Sequence, residues 1–218
     1  MYRDLAPRKT RVVIWKLGIA GMCILLLCSF LFSRTEPALH NGDIVFQSSE
    51  GSQSIAVKLA TYSQYSHCGI VFSKGKEFYV YEAVGPVLYT PFKEWINHGT
   101  GGKYIVKRLK NAETVLTPDV ISKMKKAGEK YKGAGYDLYF GWSDELIYCS
   151  ELVWKIYKNG AGIEVGKLQT LKDLDLTSAP VKAKLNERYG SKIPYEEKMI
   201  SPQSIADCEL LETVANTY

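Results

Sequence analysis

The chain has 218 residues, 46% of them hydrophobic, which is enough for one well-buried domain and too little for two comfortable ones. Its formal charge of +5 belongs to residues 1–34, which hold six of the 28 Lys and Arg (Arg3, Arg8, Lys9, Arg11, Lys16, Arg34) and one of the 23 acids, Asp4; the remainder carries 22 of each sign. A neutral body without a basic stripe argues against nucleic acid as the principal ligand, because phosphate binding draws on clustered cations.

The basic lead runs into an uncharged stretch from Leu17 to Phe32, extended backwards past Lys16 by Val12 to Trp15. Such a segment enters a membrane, and it reaches the roughly 20 residues of a spanning helix if Lys16 snorkels to the interface. A signal-peptide core is the competing reading. Cleavage after Ser29, Ser33 or Ala38 would put Leu27, Leu31 or Glu36 where a small residue is wanted. Lipidation is also disfavoured, since Leu27 precedes Cys28 and Met22 precedes Cys23. Residues 1–34 are therefore read as an uncleaved anchor, and cations before the apolar run place residues 35–218 outside the cytoplasm, in the periplasm or the extracellular space. If the segment is cleaved, the domain is secreted.

Gly42 to Gln47 reads as a first strand and "SQSIAVKLAT" as a short helix, with Ser54 its N-cap and Ile55 and Leu59 on one face. A β-hairpin follows in "YSHCGIVFSKGKEFYVYEAVG". "GPVLYTPFKEWINHG" is an extended segment with a turn of helix near Trp95, and "KYIVKRL" is a further strand. Thr117 and Pro118 supply an N-cap and first-turn proline for a helix that turns Val120, Ile121, Met124 and Tyr131 inward and Lys123, Lys125, Lys126 and Lys130 to solvent. An aromatic loop, "YKGAGYDLYFGWSDELIYC", leads into Cys149. Beyond it lie a turn of helix from Val181 to Leu185 and a helix over "SPQSIADCELLETV". The class is α+β, a mostly antiparallel sheet with helices packed on it.

Leu152, Val153 and Ile156 after Cys149, with a stop at Asn159-Gly160, predict a helix from near Cys149 to near Lys158. Cys149 then sits in a first turn, where unpaired N–H groups and the helix dipole favour the thiolate and could hold an oxyanion. The same stripe would also suit a buried, inert cysteine. In the hairpin, a turn at Lys74-Gly75 makes His67 and Glu82 direct cross-strand neighbours; a turn at Gly75-Lys76 makes them diagonal neighbours on the same face. A carboxylate beside an imidazole fixes its tautomer and leaves the other nitrogen to take a proton from a thiol. It could equally be an exposed edge residue beside a structural histidine.

The other candidates are weaker. His40 and His98 read as surface residues, and Cys68 points away from His67 to pack with Ile70 and Phe72. Ser150 and Glu151 read as helix-start residues, and Asp144 and Glu145 as solvated loop charges. Of Cys68, Cys149 and Cys208, at least one must be a free thiol. No metal-ligand spacing and no phosphate-cradling loop stands out, so no cofactor or metal is expected.

"GDIVFQ", "YSHCGIVF", "VYEAVGPV", "YDLYFGWSDELIYCSELVWKIY" and "ISP" at Ile200 to Pro202 occur in an order that resembles the permuted papain-like amidases of the YiiX and YaeF type, within the NlpC/P60 superfamily. The likeness covers nearly all of residues 41–210. It implies a circularly permuted papain-like fold with Cys149 as nucleophile, His67 as base and Glu82 as the group that orients His67. The expected activity is thiol hydrolysis of an amide or ester through a thioester. Tyr136, Phe140 and, as substrate-binding residues, Tyr148, Trp142 and Tyr139 would wall the groove. The expected partners are a peptide, amide or lipid-ester substrate and the membrane. Two rivals stand beside this reading: a lipid acyltransferase using the same cysteine, and an inert module that binds a peptide or lipid.

Overall fold

The computed structural model describes residues 38–218; the segment read as an anchor lies outside them. Among the described residues, no helix is long and apolar enough to cross a membrane. The strands are β1 (Ile44–Gln47), β2 (His67–Lys74), β3 (Glu77–Ala83), β4 (Val87–Pro91), β5 (Ile105–Leu109), β6 (Gly135–Tyr136), β7 (Leu146–Ile147), β8 (Gln169–Thr170), β9 (Lys198–Met199) and β10 (Leu211–Asn216). The α-helices are α1 (Ser52–Ala60), α2 (Phe92–His98), α3 (Ala112–Val115), α4 (Pro118–Glu129), α5 (Cys149–Ile156), α6 (Ala179–Tyr189) and α7 (Pro202–Ala206).

A six-stranded sheet in the order β10-β5-β1-β2-β3-β4, antiparallel at every pairing, forms the frame. The period of two sends Ile44, Phe46, Cys68, Ile70, Phe72 and Tyr81 to one face, where they pack with Leu152, Val153 and Ile156 of α5 and Met124 of α4. Val45, Val71, Val80 and Val106 go to the other face and meet Phe92 and Trp95 of α2. Because both faces are covered, β1 and the centre of β2 are buried at every residue and read as continuous apolar runs.

Several elements differ from the sequence reading. In α1 the N-cap is Gly51, not Ser54, and the buried face is Ser54, Ala56 and Ala60, while Ile55 and Leu59 are exposed. Its small residues make the contact with Val181, Leu174, Leu176 and Leu185. The Cys149 helix does not stop at Asn159-Gly160: a π-helical turn, Tyr157–Ala161, continues it, and the left-handed residue is Gly162 at φ 73°. Gly160 has a different task, since a Cβ there would lie 2.4 Å from the Met124 Cα of α4. The last expected helix ends at Ala206, and Leu211–Asn216 instead becomes β10 on the open edge of β5. Edge pairing there overrides helical propensity. Thr117 caps α4 by accepting from the Val120 N–H as expected, but Lys125 donates to the Ser73 carbonyl at 3.1 Å and lies over the Phe72 ring instead of pointing to solvent.

Gly160→Ala is expected to cost about 1–3 kcal/mol through overpacking against backbone that cannot retreat, read as a lower Tm. Gly162→Ala tests only the left-handed cap and is expected to cost about 1 kcal/mol.

Candidate active site

The hairpin closes through Gly75-Lys76, with Ile70 opposite Tyr81 and Lys74 opposite Glu77. Of the two registers open in the sequence, this one makes His67 and Glu82 diagonal neighbours. Gly69 lies between them, and a Cβ on it would meet Val80 Cγ1 at 2.4 Å and Glu82 Cβ at 3.2 Å. With no side chain there, the imidazole leans across the strand pair, and His67 Nε2 stands 2.5 Å from Glu82 Oε2.

Glu82 is 1% exposed, a carboxylate sealed inside the sheet, and such a group persists as a charge only when its lone pairs are filled. Three side chains fill them. Trp95 Nε1 donates to Oε2 at 2.9 Å, the Thr90 hydroxyl donates to Oε1, and His67 supplies the third partner. Burial alone would raise the Glu82 pKa, but the His67 hydrogen bond and charge, with the Thr90 and Trp95 donors, hold it below its usual value. Neither Thr90 nor Trp95 was picked out as a site residue from sequence. Strand alternation is the signal that marks Thr90, because it pairs with Val80 and so shares a face with Glu82.

Cys149 opens α5 and is 3% exposed. Since α5 packs on β2 and β3, its N-terminus arrives beside the start of β2. With Nε2 turned to Glu82, the other imidazole nitrogen is left for the sulfur. Three groups bear on the thiol. Hydrogen bonding from the Cys68 side chain comes first; burial works against it; the His67 hydrogen bond and positive charge and a Cys68 backbone hydrogen bond add to the first, and the Cys149 pKa falls well below its usual value. For His67, burial favours the neutral ring, but Cys149 and Glu82 outweigh it and push the pKa up to about 10. Both shifts act toward the thiolate and imidazolium forms of the pair. Burial drives the Cys68 pKa well up, so Cys68 stays a thiol and donates. It does pack with Ile70 and Phe72 as expected, and it also touches Cys149, which the sequence reading did not foresee.

Burial, with the Cys149 charge and hydrogen bond, likewise raises Tyr136, whose hydroxyl also accepts from Gln53 Nε2 at 3.2 Å. Its proton is therefore directed at the reactive sulfur. Tyr148 lines an apolar pocket beside Cys149, and its hydroxyl accepts from the Ile200 N–H at 3.1 Å. Trp142 and Tyr139 do not line that pocket. Trp142 is held by Trp154, ring centroids 5.4 Å apart, and by Lys155 and Lys198 over its ring, while Tyr139 is 56% exposed against Tyr189.

Glu151 is in the first turn of α5, as expected, and is wholly buried; it pairs with Lys155 Nζ at 2.8 Å, and burial pushes its pKa up to about 7. Ser150 Oγ donates to the Ile200 carbonyl at 2.8 Å. Asp144 is mostly exposed but pairs with Lys155, and His40 and His98 are exposed as expected. Among the described residues, no three His, Cys, Asp or Glu side chains gather as a metal site.

A helix that opens on a cysteine and is laid on an antiparallel sheet, with an acid-backed histidine on a central strand of that sheet, is the architecture of papain-like thiol enzymes, here with the histidine earlier in the chain than the cysteine. Residues 38–215 match the family described as "Permuted papain-like amidase enzyme, YaeF/YiiX, C92 family", and the chain belongs to it. It is a family of papain-like cysteine amidases and peptidases, and the general activity is amide hydrolysis. The chain is 49% identical over 177 residues to "Uncharacterized protein YiiX" of Escherichia coli strain K12, covering 81% of this chain and 86% of that one. It is also similar to the crystal structure titled as metalloprotein yiiX from Escherichia coli O157:H7, with a TM-score of 0.79, 49% identity, and coverage of 82% of this chain and 98% of that chain.

Trp95→Phe and Thr90→Val each leave a buried carboxylate oxygen short of a donor, at an expected cost of about 1.5–3 kcal/mol. Because the folded pKa of Glu82 is lowered, its contribution to stability is present above the usual carboxylate range and is lost as pH falls through the lowered value. Both variants should weaken that contribution and move the acid-unfolding midpoint to higher pH. An unchanged midpoint would remove Thr90 and Trp95 from this role.

Proposed function

We propose that the chain is a thiol amidase in which Cys149 is the nucleophile, His67 the proton carrier and Glu82 the group that fixes His67. The observation that carries this reading is that His67 engages both partners at once, with Nε2 at 2.5 Å from Glu82 Oε2 and a side-chain hydrogen bond to Cys149. The Cys149 thiolate attacks the carbonyl carbon, the C–S bond forms, and the carbonyl oxygen takes the negative charge. The unpaired N–H groups of the first turn of α5 and the Tyr136 hydroxyl are the donors for that oxygen. The C–N bond then breaks as His67 gives its proton to the nitrogen. Water, deprotonated by His67, cleaves the thioester and releases the carboxylic acid, and the thiolate is restored.

Placement of the domain outside the cytoplasm rests on the basic lead before the apolar run at Leu17 to Phe32, and it belongs to this proposal.

Cys149→Ala is expected to abolish amide hydrolysis by the purified protein. Glu82→Gln should retain a reduced rate, about 10²–10⁴-fold below the parent, because the ring loses its orienting charge but not its partner atoms. The kcat/KM profile should show a plateau through the neutral range and fall as pH rises through about 10, where His67 loses its proton. Full activity in Cys149→Ala would end the proposal.

A further inference from the structure

Among the described residues Cys68, Cys149 and Cys208 are free thiols, and the first two meet. Cys68 stands one residue from His67 on β2, and strand alternation turns it to the face of the sheet on which α5 is packed. There both its side chain and its backbone hydrogen-bond the Cys149 side chain. The two cysteines belong to one buried core cluster, with Cys68 at 0% exposure. Cys208 is half-buried and borders a different pocket. Amide hydrolysis needs one sulfur, and packing beneath α5 would be met by any small apolar side chain. What Cys68 adds is a second oxidisable sulfur in contact with the reactive one.

We infer that Cys68 is the resolving partner of Cys149: a peroxide oxidises Cys149, and the two cysteines then close a reversible disulfide that switches the site off. Cys149 borders a pocket that admits a molecule as small as hydrogen peroxide, whereas Cys68 is sealed from solvent. In its thiolate form the Cys149 sulfur attacks one peroxide oxygen; an S–O bond forms, the O–O bond breaks, sulfur loses two electrons to oxygen, and the departing hydroxide takes the His67 proton and leaves as water. The product is a sulfenic acid. Cys68 then attacks that sulfur, the S–S bond forms as S–O breaks, and the Cys68 proton goes to the leaving oxygen as a second water. A dithiol reverses the change by exchange, becoming a disulfide itself. Burial, followed by the hydrogen bond and charge of Cys149, keeps Cys68 a thiol at rest, so it is not the sulfur that peroxide finds first. Once Cys149 carries oxygen that charge is gone, and contact supplies the high local concentration that a buried thiol needs to react. A disulfide asks for sulfurs about 2 Å apart, a short approach for two side chains already in hydrogen-bond contact. The closed pair spares Cys149 the irreversible higher oxidation states.

The test treats the full chain in detergent with hydrogen peroxide and then with dithiothreitol, following peptide masses and amide hydrolysis together. In the parent protein the peptides carrying Cys68 and Cys149 are expected to appear as one cross-linked species lacking two hydrogens, with hydrolysis reduced about tenfold or more and restored by dithiothreitol. Cys208→Ser should behave as the parent does. Cys68→Ala should form no such cross-link; peroxide should carry its Cys149 to the sulfinic and sulfonic acids, and dithiothreitol should no longer restore hydrolysis. Cys68→Ser keeps the size of the side chain and gives the same reading if the alanine variant does not fold. Oxidation of Cys149 in the parent without the cross-link, a cross-link to Cys208 in its place, or recovery of Cys68→Ala as complete as that of the parent overturns the inference. A Cys68 to Cys149 cross-link in a protein whose reduced form hydrolyses no amide upholds the disulfide and ends the amidase reading alone, because the mass readout does not depend on activity.

Discussion

The structure is organised around a negative charge placed where solvent cannot reach it. Glu82 is 1% exposed, and the segments around it supply what its carboxylate lacks: a hydroxyl from β4, an indole N–H from α2 and an imidazole from β2. An unpaired carboxylate in that position would be protonated or would disrupt the sheet. Its demand for partners fixes the His67 ring, which also hydrogen-bonds the Cys149 side chain at the start of α5.

Charge compensation then continues outward. The His67 ring is flanked by Glu82 and Cys149, and His67, Cys68 and Tyr136 all bear on the Cys149 sulfur. Cys68 belongs to this arrangement by strand alternation: one residue from His67, it faces the opposite side of the sheet, where α5 lies. The two residues therefore approach Cys149 from the end of a strand and from the face beneath it. This explains how a single hairpin contributes two groups to one sulfur, and why α5 packed at any other height on the sheet would meet neither.

What sequence could supply here depended on whether a feature was local. The His67–Glu82 relation followed from period-two counting and survives either even turn; only the turn itself, Gly75-Lys76, needed coordinates. The first-turn position of Cys149 followed from the apolar stripe behind it. The α+β class with an antiparallel sheet was likewise legible. Long-range packing was not. Gly160 resembles a helix stop and is a contact with Met124, and the stretch from Leu211 resembles helix and is an edge strand because β5 offers it a partner. Trp142 packs on Trp154 and lies beneath Lys155 and Lys198, contacts that no local pattern announces. The apolar cavity beside Cys149 was invisible for the same reason, since it is made by small residues of α1 facing α6 across more than a hundred positions of chain.

The central claim is that Cys149 is already a thiolate at rest. The most direct measurement is the alkylation rate of Cys149 by iodoacetamide as a function of pH, followed by peptide mass spectrometry, with Cys208 as the internal comparison. A preformed ion pair predicts a Cys149 rate that stays level as pH falls through the usual thiol range and drops only well below it, while His67→Ala restores an ordinary rise with pH. A wild-type Cys149 rate that climbs with pH in the ordinary thiol range, and is unaffected by His67→Ala, would contradict the account.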